Sequence, residues 1–410
     1  MSTPLEVKRE MRLLRSLRAH ERRGARPEMA GICLELGTHY RDLGELERAE
    51  QVFRRALVLY ESVGDRLAVA GVCLRLGLLF EMRGDTGQSG FYFTEAKAIS
   101  AHLGDERGQA DATGYLGLLA QLQGDLQTAQ TLHAEALVAH EQLGDLAKQA
   151  EDHGNLGAVS LARGQAAEAE ARALQSLALF TQVQDTRGTA GQHRALGWIW
   201  LDHGEVERAA AAFEQALALD RESAYPLGMG LDYAALAEIR HRTGDVEEAK
   251  ALYDQAQELF QRTGHRAHQA ATHVQLAILA QERHEFESAC VELEAALELW
   301  EGMGNRANLA AVCRRLGDLY GNLASEGEEQ VEGMYRRALE TYQLLHDEVG
   351  SGGIYSRLGD LAARRKDPNQ AVAMWTVAAQ LFRRAGLEAQ AARVDEAVRS
   401  IWATGRVRVA

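Results

Sequence analysis

Apolar and small residues along this chain return on a fixed beat. A Leu-Gly pair stands at Leu36-Gly37, Leu76-Gly77, Leu116-Gly117, Leu156-Gly157, Leu196-Gly197 and Leu316-Gly317, and Leu236-Ala237 and Leu276-Ala277 fill the gaps, every step being 40 residues. A ninth pair, Leu358-Gly359, arrives two residues late, which predicts a two-residue insertion near 322–333. A second motif keeps the same phase: Ala49, Phe53 and Ala56, then Ala209, Phe213 and Ala216, Ala249, Tyr253 and Ala256, and Ala371, Trp375 and Ala378. Steps of four and three place such a trio on one face of a helix.

Turn signals separate the two motifs. One set is Gly44-Glu45, Gly84-Asp85, Gly124-Asp125, Gly164-Gln165, Gly204-Glu205 and Gly244-Asp245, with His284-Glu285 and Lys366-Asp367 as variants. A second set is Gly64-Asp65, Gly104-Asp105, Gly144-Asp145, Gly264-His265 and Gly304-Asn305. Glycine ends a helix in the left-handed conformation, and the acid that follows suits the next N-terminus. Each unit therefore reads helix, turn, helix, turn. Gly350-Ser351-Gly352-Gly353 interrupts this vocabulary and is expected to form a loop.

The pattern resembles the tetratricopeptide repeat, in which small residues let two helices approach and an aromatic ring fills the space beside them. The resemblance covers roughly residues 27–386, nine copies in phase. The unit of 40 residues exceeds the common 34 by more than a helical turn and is similar to the repeats of Pins-family scaffolds, kinesin light chains and regulators related to the maltose activator. The Asn that precedes Leu-Gly in Pins repeats occurs here once, at Asn155. The resemblance implies an all-α, right-handed α-solenoid of about nine helical hairpins. Outside it lie a basic helix within residues 1–26, a helix at 387–404 and a short tail at 405–410; the helices either cap the stack or meet a partner or a membrane surface.

Composition narrows the function. With 46% hydrophobic residues and only 4 prolines, the chain has material for a core and few helix breakers. Its formal net charge of −14 argues against nucleic acid as partner. The four cysteines, Cys33, Cys73, Cys290 and Cys313, form no CxxC pair, and charges run through the first 26 residues, so a cytoplasmic location is expected. Arg outnumbers Lys, as in a GC-rich bacterial genome. The longest apolar runs are too short for a membrane span. No Gly-Lys-Ser/Thr loop, HExxH or GxSxG occurs, so neither an enzyme nor a cofactor is expected.

Cys33, Cys73, His153, His193, His273 and Cys313 share one repeat position, yet neighbouring copies stand about 10 Å apart, too far to share a metal ion. His133 takes the place of an aromatic and reads as core. The resemblance assigns the first helices to a concave groove. Its expected lining includes Leu74, Arg75, Leu78, Tyr115, Leu118, Asn155, Arg194, Trp198 and Leu201, then Gln275, Arg314, Arg315 and Arg357. The apolar stripe around Tyr115 and Trp198 would anchor a peptide or helix, unless its leucines pack between helices. The arginines would grip carboxylates, unless Asp318 and Asp360 neutralise them. A scaffold or adaptor holding a segment of another protein is expected. The alternatives are a sensory module for a small ligand or peptide and, further off, an RNA-binding repeat. Association of two copies is left open.

Overall fold

The computed structural model describes residues 4–323 and 327–403. Among them are twenty α-helices and no strand. The chain divides into two compact units, Met1–Leu219 and Asp220–Ala410. The first holds α1 (Pro4–Glu21), α2 (Arg26–Asp42), α3 (Leu46–Val63), α4 (Arg66–Met82), α5 (Thr86–Leu103), α6 (Glu106–Leu122), α7 (Leu126–Gln142), α8 (Leu146–Ala162), α9 (Ala166–Gln182) and α10 (Thr186–Asp202). The division falls within α11 (Val206–Glu222). The second continues with α12 (Pro226–Arg242), α13 (Val246–Thr263), α14 (Arg266–Glu282), α15 (Phe286–Gly302), α16 (Arg306–Tyr320), α17 (Glu328–Leu344), α18 (Glu348–Arg364), α19 (Pro368–Arg384) and α20 (Glu388–Ala403). Within each unit the first helix of a hairpin packs most extensively on its second, and the second packs on the next first helix. That is the all-α solenoid arrangement of helical hairpins.

Local chemistry explains the boundaries. Ten first-turn N–H groups are satisfied by the residue just before the helix; Asp65, for example, accepts from Ala68 at 3.0 Å and Asp105 from Gly108 at 3.0 Å. The preceding glycine supplies the positive φ that closes the turn, as at Gly64 (φ 75) and Gly104 (φ 69). Five turns take the same left-handed conformation without glycine, at Gln184, Ala224, His284, His346 and Lys366. Proline enters at first-turn positions of α2, α12 and α19, where its missing N–H costs nothing.

The Leu-Gly motif is the contact that sets each hairpin. Gly37, Gly77, Gly197, Gly317 and Gly359 lie directly under Phe53, Phe93, Phe213, Tyr335 and Trp375 of the following helix, and a Cβ at Gly197 would stand 2.7 Å from the Phe213 ring. Ala49, Phe53, Ala56 and the counterpart trios at 209–216, 249–256 and 371–378 are buried. In the third hairpin His133 holds the aromatic position. It is 0% exposed, neither ring nitrogen has a hydrogen-bond partner, and burial pushes it down to about 4.

The ends follow the same register. Glu10 lies 38 residues before its partner Arg48, and Glu170 lies 38 before Arg208. Gly24 has the positive φ of Gly64, forty residues on. α1 therefore occupies the place of a hairpin's second helix, with Arg9, Leu13 and Ser16 where later units carry Ala, aromatic and Ala. Glu10 and Glu21 fasten it to α3 through Arg48 and Arg55, at 2.5 Å each. α20 has the register of a first helix, with Val398-Arg399 forty residues after Leu358-Gly359.

One expectation fails. Gly350-Ser351-Gly352-Gly353 lies in the first turns of α18, not in a loop. Asp347 caps that helix through Gly350 N–H at 2.8 Å, and the bare Cα atoms admit Tyr342 against Gly350 and Phe382 against Gly352. The expected insertion falls between Tyr320 and Glu328, where residues 324–326 lie outside the described ones, as does the tail at 405–410.

Gly197→Ala should cost about 1–3 kcal/mol, because Phe213 must shift. Gly191→Ala in the same helix, with no atom within 4 Å of the added Cβ, should instead gain ~0.5–1 kcal/mol. Urea unfolding of the two variants checks this; equal stabilities would refute the packing argument. His133 gives a pH prediction. Its folded form resists protonation while the unfolded imidazole titrates near 6.5, so its contribution is intact above that pH and lost as pH falls toward about 4. His133→Phe should remove a loss on the order of 3 kcal/mol across that window. Parallel stability–pH curves for variant and wild type would contradict it.

Candidate functional site

The first helices of the first unit present a face on which several of the expected residues meet. Tyr115 of α6 is half-buried and stacks on Phe93 at 5.2 Å, and Trp198 of α10 stands edge-on to Phe213 at 5.1 Å. Trp198 is 43% exposed, so the same Phe213 that fills the Gly197 contact also props an indole toward solvent. Tyr115, Leu118 and Asn155 share the lining of one shallow depression. Leu74 and Leu78 are half-buried, and Leu74 packs against the buried cluster of Val69, Cys73, Ala96 and Ala112. Arg75 is tied to its own helix by a 2.9 Å bond to the Gly71 carbonyl. Arg194 is half-buried on α10. Leu201 does not belong to this face: it is 2% exposed, part of the core.

The depression has an ionisable floor that pattern reading passed over. His140 of α7 sits 2.6 Å from Asp152 of α8 and 3.6 Å from Asp111 of α6, and Lys148 is 3.7 Å from Asp111. Burial raises Asp152 to about 6, against the pull of the His140 hydrogen bond. A signal was present in the sequence. The positions of His140 and Asp152 hold Ser100 and Ala112 one unit earlier, and Phe180 and Gln192 one unit later.

In the second unit, α16, α17 and α18 enclose a polar cleft of ≈ 380 Å³ lined by Asp318, Asn322, Tyr335, Arg357, Asp360 and Arg364, among others. Asp318 accepts from Arg357 Nε at 2.5 Å and from the Tyr335 hydroxyl at 2.8 Å, with Arg314 at 3.7 Å. Burial works against the Arg357 charge, but Asp318 outweighs it and raises its pKa. Asp360 accepts from Trp375 Nε1 at 3.1 Å. Arg314 and Arg357 are thus largely neutralised in place. Arg315 differs: it is half-buried, no carboxylate lies within ion-pair distance among the described residues, and burial with the neighbouring Arg314 charge lowers its pKa. Gln275 of α14 is half-buried.

Among the described residues no three His, Cys, Asp or Glu side chains gather to hold a metal ion, and no helix is long and apolar enough to cross a membrane. The four cysteines are buried as free thiols.

Two tetratricopeptide-repeat family models match the chain, at residues 32–67 and 233–262. No curated protein sequence matches it. Solved structures share its fold at low identity. A signal-transduction ATPase with numerous domains and a tetratricopeptide-repeat sensor, from Pyrococcus horikoshii, aligns over 88% of this chain and 55% of its own, at 14% identity and TM-score 0.64. The apo quorum sensor NprR from B. thuringiensis aligns over 89% and 99%, at 12% and 0.58. A Rap protein complexed with competence and sporulation factor aligns over 92% and 98%, at 13% and 0.55. The forty-residue period, the glycine-under-aromatic hairpins and the matching family models agree: the chain is a tetratricopeptide-repeat protein.

Proposed function

We propose that this protein is an interaction scaffold that holds an extended or helical segment of a partner along the face lined by its first helices. The observation that carries the reading is Trp198, a large aromatic kept exposed by rigid support from Phe213, with Tyr115 similarly backed by Phe93 two hairpins away. Rigid aromatics bury large areas at little entropic cost, which makes them anchors for a bound chain. A sensory role is the second reading. It is favoured by the likeness in fold to a Rap protein seen with competence and sporulation factor and to a quorum sensor. In that reading a small ligand or signalling peptide takes the place of the partner's segment on this face, and the two readings differ in what binding changes. The net charge of −14 supports protein over nucleic acid as the ligand. In the second unit the arginines of the cleft would favour acidic residues, with Arg315 the cation most open to a new carboxylate.

Selection of a random peptide library on the immobilised protein, followed by anisotropy titration, tests the reading. Trp198→Ala combined with Tyr115→Ala should weaken a selected peptide by about ten-fold or more while leaving the thermal melt in place. Equal affinity for the double variant would remove this face from binding. A peptide whose affinity depends on Arg315 should also weaken as salt is raised.

A further inference from the structure

His140 is 2% exposed and lines the floor of the depression beside Tyr115, Leu118 and Asn155. Above its titration near 6, Asp152 is a carboxylate and can only accept, so the 2.6 Å contact requires the proton on His140 Nδ1. With a single proton on the ring, Nε2 is left as an acceptor. That atom has no hydrogen-bond partner, and neither has the buried Asp111 Oδ1 that stands 3.6 Å away. Lys148 does not resolve the conflict. Its ammonium is 3.7 Å from Asp111 and donates instead to Glu151 at 2.7 Å. Two buried acceptors thus face the same small space without a proton between them.

The space, ≈ 30 Å³, holds about one nitrogen- or oxygen-sized group. That group must donate at least two hydrogen bonds. A water could do so. The charge of the lining selects further: among its described residues Asp111, Glu151 and Asp152 are acidic and Lys148 is the one Lys or Arg. A cation that brings N–H donors satisfies both acceptors and the charge, and the Tyr115 ring with Leu118 offers an apolar border for an aliphatic stem.

We propose that this depression is a subsite for the cationic tip of a lysine or arginine side chain, donating to Asp111 Oδ1 and His140 Nε2. The proposal rests on the reading of this face as a peptide-binding surface and names one chemical feature of the bound segment.

The test uses the full chain carrying ¹⁵N-histidine at about pH 8, above the Asp152 titration, with the His140 resonance assigned through His140→Gln. The probes are the N-acetyl methylamides of lysine and arginine, with the citrulline analogue as uncharged isostere. Either cationic probe should shift the His140 Nε2 resonance saturably, and citrulline should not. Asp111→Asn should weaken that response about ten-fold, and Lys148→Met, which removes the competing cation, should strengthen it several-fold. The second variant keeps the test valid if the first melts early. No shift with either cation, an equal shift with citrulline, or no strengthening in Lys148→Met would overturn the proposal and leave the space to water. Library peptides that depend on Trp198 and Tyr115 yet carry no Lys or Arg would sink this inference alone. A cationic response without any selected peptide would sink the wider reading instead.

Discussion

Everything in this protein depends on how closely two helix backbones can approach within a hairpin. At Gly37, Gly77, Gly197, Gly317 and Gly359 the Cα of the first helix meets an aromatic ring of the second, and an added Cβ would stand within 3 Å of that ring. The small residues flanking the ring, such as Ala49 and Ala56, extend the close contact by a turn in each direction. Where alanine takes the place of the glycine, as at Ala237 and Ala277, it shares a buried cluster with Tyr253 and Leu293 respectively. Fixing this distance fixes the position of the first helix, and with it the direction in which Tyr115 and Trp198 point.

How much of this was legible follows from what repeats. The hairpins were readable because Leu-Gly, the aromatic trio and the Gly-Asp turns recur in phase, so each copy corroborates the others. α1 and α20 were visible as helices but not as halves of the pattern, since Arg9, Ser16 and Arg399 replace the residues that mark it. The helical start of α18 was misread because four small residues carry a strong turn bias, which the Asp347 cap and the rings of Tyr342 and Phe382 override.

The candidate site was legible in outline only. Repeat position placed the expected residues on the first helices, where Tyr115, Leu118 and Asn155 line one depression. It could not predict partnership. Arg314, Arg315 and Arg357 look equivalent in the sequence, yet Asp318 takes two of them and leaves the third. Leu201 falls on the wrong side of its helix for the face and joins the core. His140, Asp111 and Asp152 come from three helices, so no linear motif announces them.

The turns at Gln184, Ala224, His284, His346 and Lys366 have the backbone of their glycine counterparts but hold side chains that disfavour it, at a cost of roughly 1–2 kcal/mol each. Hairpins of identical geometry are therefore unequal in strength. Fraying, hydrogen exchange and proteolytic nicking would concentrate at those five corners while the glycine corners stay closed. A molecule assembled from near-copies thereby acquires an internal order of weak and strong joints that its symmetry alone would not supply.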